Sequence, residues 1–121
     1  MKVYLVEDSK PIRERIKTTV IDAGGIIAGE ASTECEAVTG ILAACPDIAV
    51  VDLRLAEGSG IGVIRKVREI DTGVIIVVLT EFNQKHCKKA SLEAGANYFL
   101  DKFNDYSFFI VLMESLKQMI D

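Results

Sequence analysis

The sequence contains no tryptophan, only two prolines and a single histidine. Its three cysteines, Cys35, Cys45 and Cys87, form no C-x-x-C pair, so we predict reduced, partly buried core residues without disulfides or metal. His86 has no second histidine with which to share a metal, and we expect it at the surface. No apolar run approaches the roughly 20 residues that cross a bilayer, and the segment Met1–Asp8 lacks a signal-peptide core. We therefore expect a cytoplasmic protein without a membrane segment.

Positive charge is also scarce. Lys and Arg number 14 against 18 Asp and Glu, which gives a net charge of −4. The basic residues are scattered, with only short clusters such as Lys85, Lys88 and Lys89. Because nucleic-acid binding depends on clustered positive charge, we expect no direct nucleic-acid contact by this domain.

Short apolar runs alternate along the chain with segments of helical periodicity. The predicted strands are Lys2–Val6, Ile26–Glu30, Ile48–Leu53, Val74–Leu79 and Asn97–Leu100, and a helical segment follows each of them. Such alternation implies a parallel sheet with helices on both faces. A length of 121 residues fits one domain, so we predict a single α/β domain over residues 1–121.

The helix starts carry recognisable caps. Ser9 is placed to cap the first helix, with Pro11 tolerated in its first turn, and Thr33 is placed to open the second. The last two helices are predicted over Gln84–Ala94 and Asp105–Ile120.

Polar side chains stand at the carboxyl ends of the predicted strands. Glu7 and Asp8 follow the first strand, Asp52 closes the third, Thr80 closes the fourth, and Lys102 lies just past the fifth. All strands of a parallel sheet end at the same edge, where ligands of such folds bind. We therefore expect these side chains to converge.

Asp52 needs compensation, because an unpaired carboxylate after an apolar strand costs several kcal/mol when it is dry. Three clustered carboxylates suit a hard divalent cation such as Mg²⁺, which prefers oxygen ligands. Lys102 supplies a second positive charge, and Thr80 supplies a hydrogen-bond donor. A carboxylate, a divalent cation, a lysine and a hydroxyl are the groups required to accept a phosphoryl group.

Together these residues resemble the receiver domain of bacterial two-component systems, the CheY-like response regulators, and the resemblance covers essentially the whole chain. The matching positions at the strand ends are Glu7, Asp8, Asp52, Thr80 and Lys102. Gly60 in the loop after Asp52 and Phe99, three residues before the lysine, also match. The resemblance implies a flavodoxin-like, doubly wound (βα)5 fold with a five-stranded parallel sheet in the order 2-1-3-4-5 and five helices.

The resemblance also implies a mechanism. A sensor histidine kinase or a histidine phosphotransfer protein would donate a phosphoryl group to Asp52. Glu7, Asp8 and Asp52 would hold Mg²⁺ (or Mn²⁺) together with the backbone carbonyl of Arg54. The chain would not be an enzyme in the usual sense, because it would catalyse only its own phosphorylation and dephosphorylation.

The same resemblance implies a switch. Thr80 would swing toward the phosphoryl group and Phe99 would rotate inward after transfer. The surface formed by the fourth helix, fifth strand and fifth helix would then change and control a partner or an output domain.

Several positions depart from the usual pattern of that family. Ala56 and Phe103 stand where proline is usual, which relaxes the loops after Asp52 and after the lysine. Glu81 replaces a small residue and could hinder small phosphodonors. The long side chains of Arg54 and Phe82 could cover the phosphoryl group and prolong its lifetime.

The last helix is apolar on more than one face. Phe109, Leu112, Leu116 and Met119, or a similar set, are predicted to pack on the sheet. The remaining apolar residues are either simply exposed or form a contact surface for a homodimer or an effector.

Two rival functions remain at the level of sequence. A phosphatase of the haloacid-dehalogenase type also uses an aspartate nucleophile and Mg²⁺, but Arg54 stands where such enzymes place a second acid. A binding module that has lost phosphorylation would lack an acceptor, an acid or the lysine, and none is missing. A flavin or nucleotide binder is disfavoured because the first loop lacks phosphate-binding glycines.

Overall fold

The computed structural model describes all residues from Met1 to Asp121. Five strands alternate with five helices: β1 (Lys2–Val6), α1 (Lys10–Asp22), β2 (Ile26–Ala31), α2 (Glu34–Ala44), β3 (Ile48–Val51), α3 (Gly60–Arg68), β4 (Ile75–Thr80), α4 (Lys85–Ala94), β5 (Tyr98–Asp101) and α5 (Tyr106–Ile120). The strands form one sheet in the order β2-β1-β3-β4-β5, and all four pairings are parallel. The predicted fold class and strand order are confirmed.

The sheet separates two hydrophobic clusters of 15 buried residues each. Val3 and Leu5 of β1 point into the cluster beneath α1 and α5, while Tyr4 and Val6 point into the cluster beneath α2 and α3. Successive side chains of a strand alternate between its faces, so a strand covered on both faces must be apolar throughout. This requirement explains the nearly continuous apolar runs of β1, β3 and β4.

The helix starts confirm one predicted cap and correct the other. The Thr33 side chain accepts a hydrogen bond from the backbone N–H of Glu36, as predicted for an N-cap. Ser9 occupies the N-cap position of α1, but its side chain makes no capping hydrogen bond. Instead, the Ser9 N–H donates to Glu7 Oε2 at 3.1 Å, which ties the start of α1 to the end of β1.

Helix α5 buries a slightly different face from the one predicted. Phe109, Leu112 and Leu116 are buried, as expected, but Met119 is 79% exposed. Ile120 packs against the cluster in its place, because it lies closer than Met119 to the stripe formed by the other residues. The large apolar residues that α5 leaves exposed are Phe108, Ile110, Val111 and Met119.

The cysteines are unpaired, as predicted, but the expected partial burial in the core is wrong for two of them. Cys35 and Cys45 are exposed, and only Cys87 is partly buried. Cys35 lies in the first turn of α2 and Cys45 caps its C-terminus, both away from the sheet. His86 is exposed, in agreement with the prediction. None of the helices has the length and apolar character that crossing a membrane requires.

Candidate functional site

The polar residues at the strand ends converge at one edge of the sheet, as the parallel topology requires. Carboxylate oxygens of Glu7, Asp8 and Asp52 all lie within 4.8 Å of one another. Glu7, Asp52, Thr80 and Lys102 are buried, whereas Asp8 is exposed to solvent. The buried charged cluster thus reaches solvent at Asp8.

Lys102 is the cation of this cluster. Its Nζ lies 2.7 Å from Glu7 Oε1 and 2.8 Å from Asp52 Oδ2, and the side chain is 4% exposed. Burial disfavours its charged form, but the contacts with the two carboxylates outweigh burial and raise the pKa of Lys102 above its ordinary value. The ammonium is therefore a fixed positive charge beside Asp52.

The surroundings of Glu7 disfavour its charged form, whereas those of Lys102 favour its charge. Burial raises its pKa to about 7, the negative charge of Asp52 adds to that effect, and Lys102 opposes it. Oxygen Oε1 lies 2.7 Å from Lys102 Nζ and meets no other hydrogen-bond donor. Three carboxylates that share a single ammonium carry excess negative charge, which a hard cation with oxygen ligands would neutralise. The donor set thus fits Mg²⁺ or Mn²⁺.

Backbone hydrogen bonds from β1 and from the loop after β3 hold Asp52 in place. The Asp52 N–H donates to the carbonyl oxygen of Val6, and Asp52 Oδ1 accepts from the N–H of Leu53 at 2.7 Å. Gly60 packs directly on this loop, since a Cβ there would lie 2.1 Å from the carbonyl oxygen of Asp52. A side chain at position 60 would therefore displace the acceptor, which gives a physical reason for the glycine predicted there.

Thr80 ends β4 directly beside the end of β5. Its carbonyl oxygen accepts from the N–H of Lys102 at 2.8 Å, and its Oγ1 accepts from the N–H of Phe82 at 3.2 Å. Phe99 is partly buried and packs against the cluster beneath α2 and α3. The two predicted switch residues thus lie on β4, beside the strand that ends at Asp52, and on β5, one strand further away.

Two of the predicted modulating residues, Arg54 and Phe82, lie against each other. The guanidinium carbon of Arg54 lies 5.7 Å from the centroid of the Phe82 ring, a cation–π distance. The two side chains line an open groove together with Leu53 and Ile61. Glu81 is exposed to solvent. Arg54 and Phe82 therefore act as a pair, rather than as two independent side chains.

Comparison with known proteins decides the family. The profile of the response regulator receiver domain matches residues 3–110 of the chain. The chain belongs to this family. It is a CheY-like receiver domain of two-component signal transduction.

Relatives of two kinds match this receiver domain. The chemotaxis protein CheY of Thermotoga maritima is 32% identical over 101 residues, which cover 84% of this chain and 84% of that protein. The transcriptional regulatory protein PhoP of Escherichia coli K12 is 35% identical over 102 residues, which cover 84% of this chain and 45% of PhoP. The receiver domain thus spans most of the chemotaxis protein but about half the length of the transcriptional regulator.

Solved structures share the fold. A LuxR-family response regulator from Aurantimonas aligns with a TM-score of 0.88 at 27% identity, covering 95% of this chain and 83% of that one. The Borrelia burgdorferi complex of CheX with CheY, BeF₃ and Mg²⁺ aligns with a TM-score of 0.87 at 21% identity, covering 100% and 90% of the two chains.

The structure adds a residue that the sequence patterns did not single out. The carboxylate of Asp101, at the end of β5, accepts hydrogen bonds from the N–H groups of Phe103 and Asn104 and from the side chain of Asn83. An acidic residue followed by a turn is a recognisable signal for the local bonds. The bond to Asn83 depends on tertiary structure and has no such signal.

Glu34 is the second such residue. Its Oε1 accepts from the N–H of Ser59 at 2.9 Å, and its Oε2 accepts from Lys66 Nζ at 2.6 Å. The contact with Lys66 lowers the pKa of Glu34 below its usual value. Glu34 thereby ties α2 to α3 and to the loop that follows Asp52, the loop in which Ala56 replaces the usual proline.

Proposed function

We propose that this receiver domain accepts a phosphoryl group on Asp52 from the phosphohistidine of a sensor histidine kinase or a histidine phosphotransfer protein. The observation that carries this proposal is the buried ammonium of Lys102, held 2.8 Å from Asp52 Oδ2 at the carboxyl edge of the sheet. It supplies positive charge where the oxygens of a transferring phosphoryl group would gather.

In the proposed step, an oxygen of Asp52 attacks the phosphorus atom of the donor. A P–O bond forms as the P–N bond breaks, and its electron pair remains on the imidazole nitrogen. Lys102 stabilises negative charge on the transferring oxygens, and the Thr80 hydroxyl can donate to one of them. In dephosphorylation, water attacks the phosphorus atom, the P–O bond to Asp52 breaks, and inorganic phosphate leaves as the carboxylate is restored. The chain thus acts only on itself and is not a conventional enzyme.

Mg²⁺ (or Mn²⁺) is the proposed cofactor. Its ligands would be the carboxylates of Glu7, Asp8 and Asp52, together with the backbone carbonyl of Arg54. The bound cation would supply charge neutralisation and orientation of the phosphoryl oxygens. The three clustered carboxylates, which share only the Lys102 ammonium, support this assignment.

The proposed output lies on the surface formed by α4, β5 and α5. Thr80 would turn toward the phosphoryl group and Phe99 would rotate inward, changing that surface for a partner protein or an output domain. The exposed apolar side chains of α5 offer a contact for a second copy or an effector. Sedimentation of a monomer with and without phosphorylation would contradict the homodimer.

A cytoplasmic location stays a prediction.

The direct test is phosphorylation in vitro. The protein is incubated with Mg²⁺ and acetyl phosphate or phosphoramidate, and its intact mass is measured beside that of Asp52→Asn. We expect the gain of one phosphoryl group in the wild type and no gain in the variant. Because exposed Glu81 could hinder small donors, a beryllofluoride titration follows any negative result. Absence of both reactions would contradict the proposal and favour a binding module.

A further inference from the structure

We propose that Asp101 is a positioning residue, which orients Lys102 toward Asp52 and links the loop after Thr80 to the loop after Lys102. This inference rests on the proposed phosphoryl transfer to Asp52. Receiver domains usually have a proline after the lysine, but Phe103 stands at that position here. The Asp101 carboxylate would provide the restraint on the loop that this proline usually gives.

The first support is the turn that Asp101 builds. Its Oδ1 accepts from the N–H groups of Phe103 at 2.9 Å and Asn104 at 2.8 Å. Its own N–H donates to Asp105 Oδ2 at 2.8 Å. The hydrogen bonds from Asn104 and Phe103 hold the pKa of Asp101 below its usual range, so the carboxylate stays ionised at neutral pH. The two residues after Lys102 are therefore fixed to the residue before it.

The second support is the position of Lys102 within that turn. Its N–H is held by the carbonyl oxygen of Thr80 at 2.8 Å. The backbone on both sides is held by Asp101, so the Lys102 side chain leaves from a backbone that has little freedom. A long lysine side chain loses less rotamer entropy on reaching Asp52 when its base is already fixed.

The third support is the bond across to the neighbouring loop. Asn83 Nδ2 donates to Asp101 Oδ2 at 2.6 Å, a short charge-assisted hydrogen bond. Asn83 lies three residues after Thr80, in the loop between β4 and α4. A displacement of that loop when Thr80 turns would therefore act on the turn that carries Lys102.

The first experiment compares phosphorylation rates at saturating phosphodonor and Mg²⁺. We expect Asp101→Ala to slow phosphorylation of Asp52 by about tenfold or more, because small errors in positioning a catalytic group cost that much. Saturating Mg²⁺ keeps the proposed ligands Glu7, Asp8 and Asp52 occupied in every variant, so the rates report on positioning rather than on cation affinity. Asp101→Asn keeps an Oδ1 acceptor and should restore part of the rate.

Asp71 provides a matched control. Its Oδ1 accepts from the N–H groups of Gly73 at 2.8 Å and Val74 at 3.2 Å, in a turn before β4 at the opposite edge of the sheet. Asp71→Ala removes the same kind of turn far from Asp52 and should phosphorylate at the wild-type rate. A wild-type rate for Asp101→Ala, or an equal loss in both variants, would overturn the proposal.

The link between the loops is tested with Asn83→Ala. The single variant should phosphorylate more slowly than the wild type, and adding it to Asp101→Ala should cause no further loss. Losses that multiply in the double variant would show that the two residues act independently.

A measurement without phosphorylation separates this proposal from the proposed function. NMR of the unphosphorylated protein should show faster amide exchange at Phe103 and Asn104, and a shifted Lys102 side-chain signal, in Asp101→Asn and Asp101→Ala but not in Asp71→Ala. A wild type that gains no phosphoryl group would refute the proposed function alone. Unchanged exchange and an unchanged Lys102 signal would refute the positioning role even if Asp52 is phosphorylated.

Discussion

Lys102 is the residue on which the electrostatics of the site depends, because one buried ammonium serves both Glu7 and Asp52. A carboxylate that loses a buried partner retains its desolvation penalty without the compensating attraction. The charge of Lys102 should therefore matter for stability as well as for phosphorylation.

We expect Lys102→Met to lower the free energy of unfolding by about 1–3 kcal/mol without divalent cations, less than for a deeply buried pair because Asp8 opens the site to water. Mg²⁺ should reduce this difference, since it would replace the missing positive charge. Urea unfolding with and without Mg²⁺ measures both effects. Equal differences under the two conditions would contradict the predicted compensation.

The pairing of Arg54 with Phe82 leads to a prediction about lifetime. Arg54→Ala and Phe82→Ala should each speed the loss of the phosphoryl group several-fold, because the pair would limit the access of water to phospho-Asp52. Loss of the phosphoryl mass with time, after removal of the donor, provides the measurement. Arg65→Ala, an exposed substitution on α3, is the control, and unchanged lifetimes in the first two variants would contradict the prediction.

Much of the site could be predicted at the scale of single residues because parallel strands end at one edge. Glu7, Asp52, Thr80 and Lys102 needed only their strand assignments to be brought together. The bond between Asn83 and Asp101 could not be predicted, since it joins two irregular loops whose paths depend on tertiary packing.

At the scale of elements, Glu34 connects three parts of the chain around the acceptor loop. Its side chain binds the backbone of Ser59 and the ammonium of Lys66, and its N–H donates to the carbonyl oxygen of Glu57. These bonds tie the start of α2 to the β3–α3 loop and to α3. They offer a physical restraint on a loop that lacks the usual proline.

We expect Glu34→Gln to lower the free energy of unfolding by about 1 kcal/mol at pH 7. The folded-state pKa of Glu34 lies below its unfolded value, so its contribution is present above the unfolded pKa of about 4.3. It is lost as the pH falls through the folded-state pKa. The gap between wild type and variant, measured by urea unfolding from pH 7 to pH 3, should close on acidification. A gap that is constant with pH would contradict this assignment.

The strands followed from the sequence to within two residues at each end, since β3 ends at Val51 rather than at the predicted Leu53. Apolar strands covered on both faces and the Thr33 cap were predictable from local pattern. Ser9 makes no capping bond, and Pro11 at the second helical position has no N–H that could donate to its side chain. The burial of Met119 failed because α5 is apolar on several faces, so its pattern does not specify which side meets the sheet.

At the scale of the whole molecule, the sheet divides the interior into two clusters that share no buried side chain. Ile16 belongs to the cluster beneath α1 and α5, and Ile64 belongs to the cluster beneath α2 and α3. A cavity made by shortening Ile16 and one made by shortening Ile64 would lie on opposite sides of the sheet. They would share no lining residue, so the two sites would relax independently.

Ile16→Val and Ile64→Val should therefore each cost about 1 kcal/mol of unfolding free energy. Their effects should add within about 0.5 kcal/mol in the double variant. Urea unfolding of the two single variants and the double variant measures this, with Ile41→Val and Ile64→Val as a pair within one cluster. A larger departure from additivity across the sheet than within the cluster would contradict the division.

The hydrogen bond from the Phe82 N–H to the Thr80 hydroxyl also has a consequence for the population of molecules. Under the proposed switch, Thr80 must give up this bond to face Asp52. A bond of this kind contributes about 1 kcal/mol, which corresponds to a ratio of about five to one between the two orientations. In a minority of unphosphorylated molecules, Thr80 would then already face Asp52. Phosphorylation would then raise a fraction of switched molecules that is already above zero. Binding of a partner to the switched surface would therefore have a measurable background without phosphorylation.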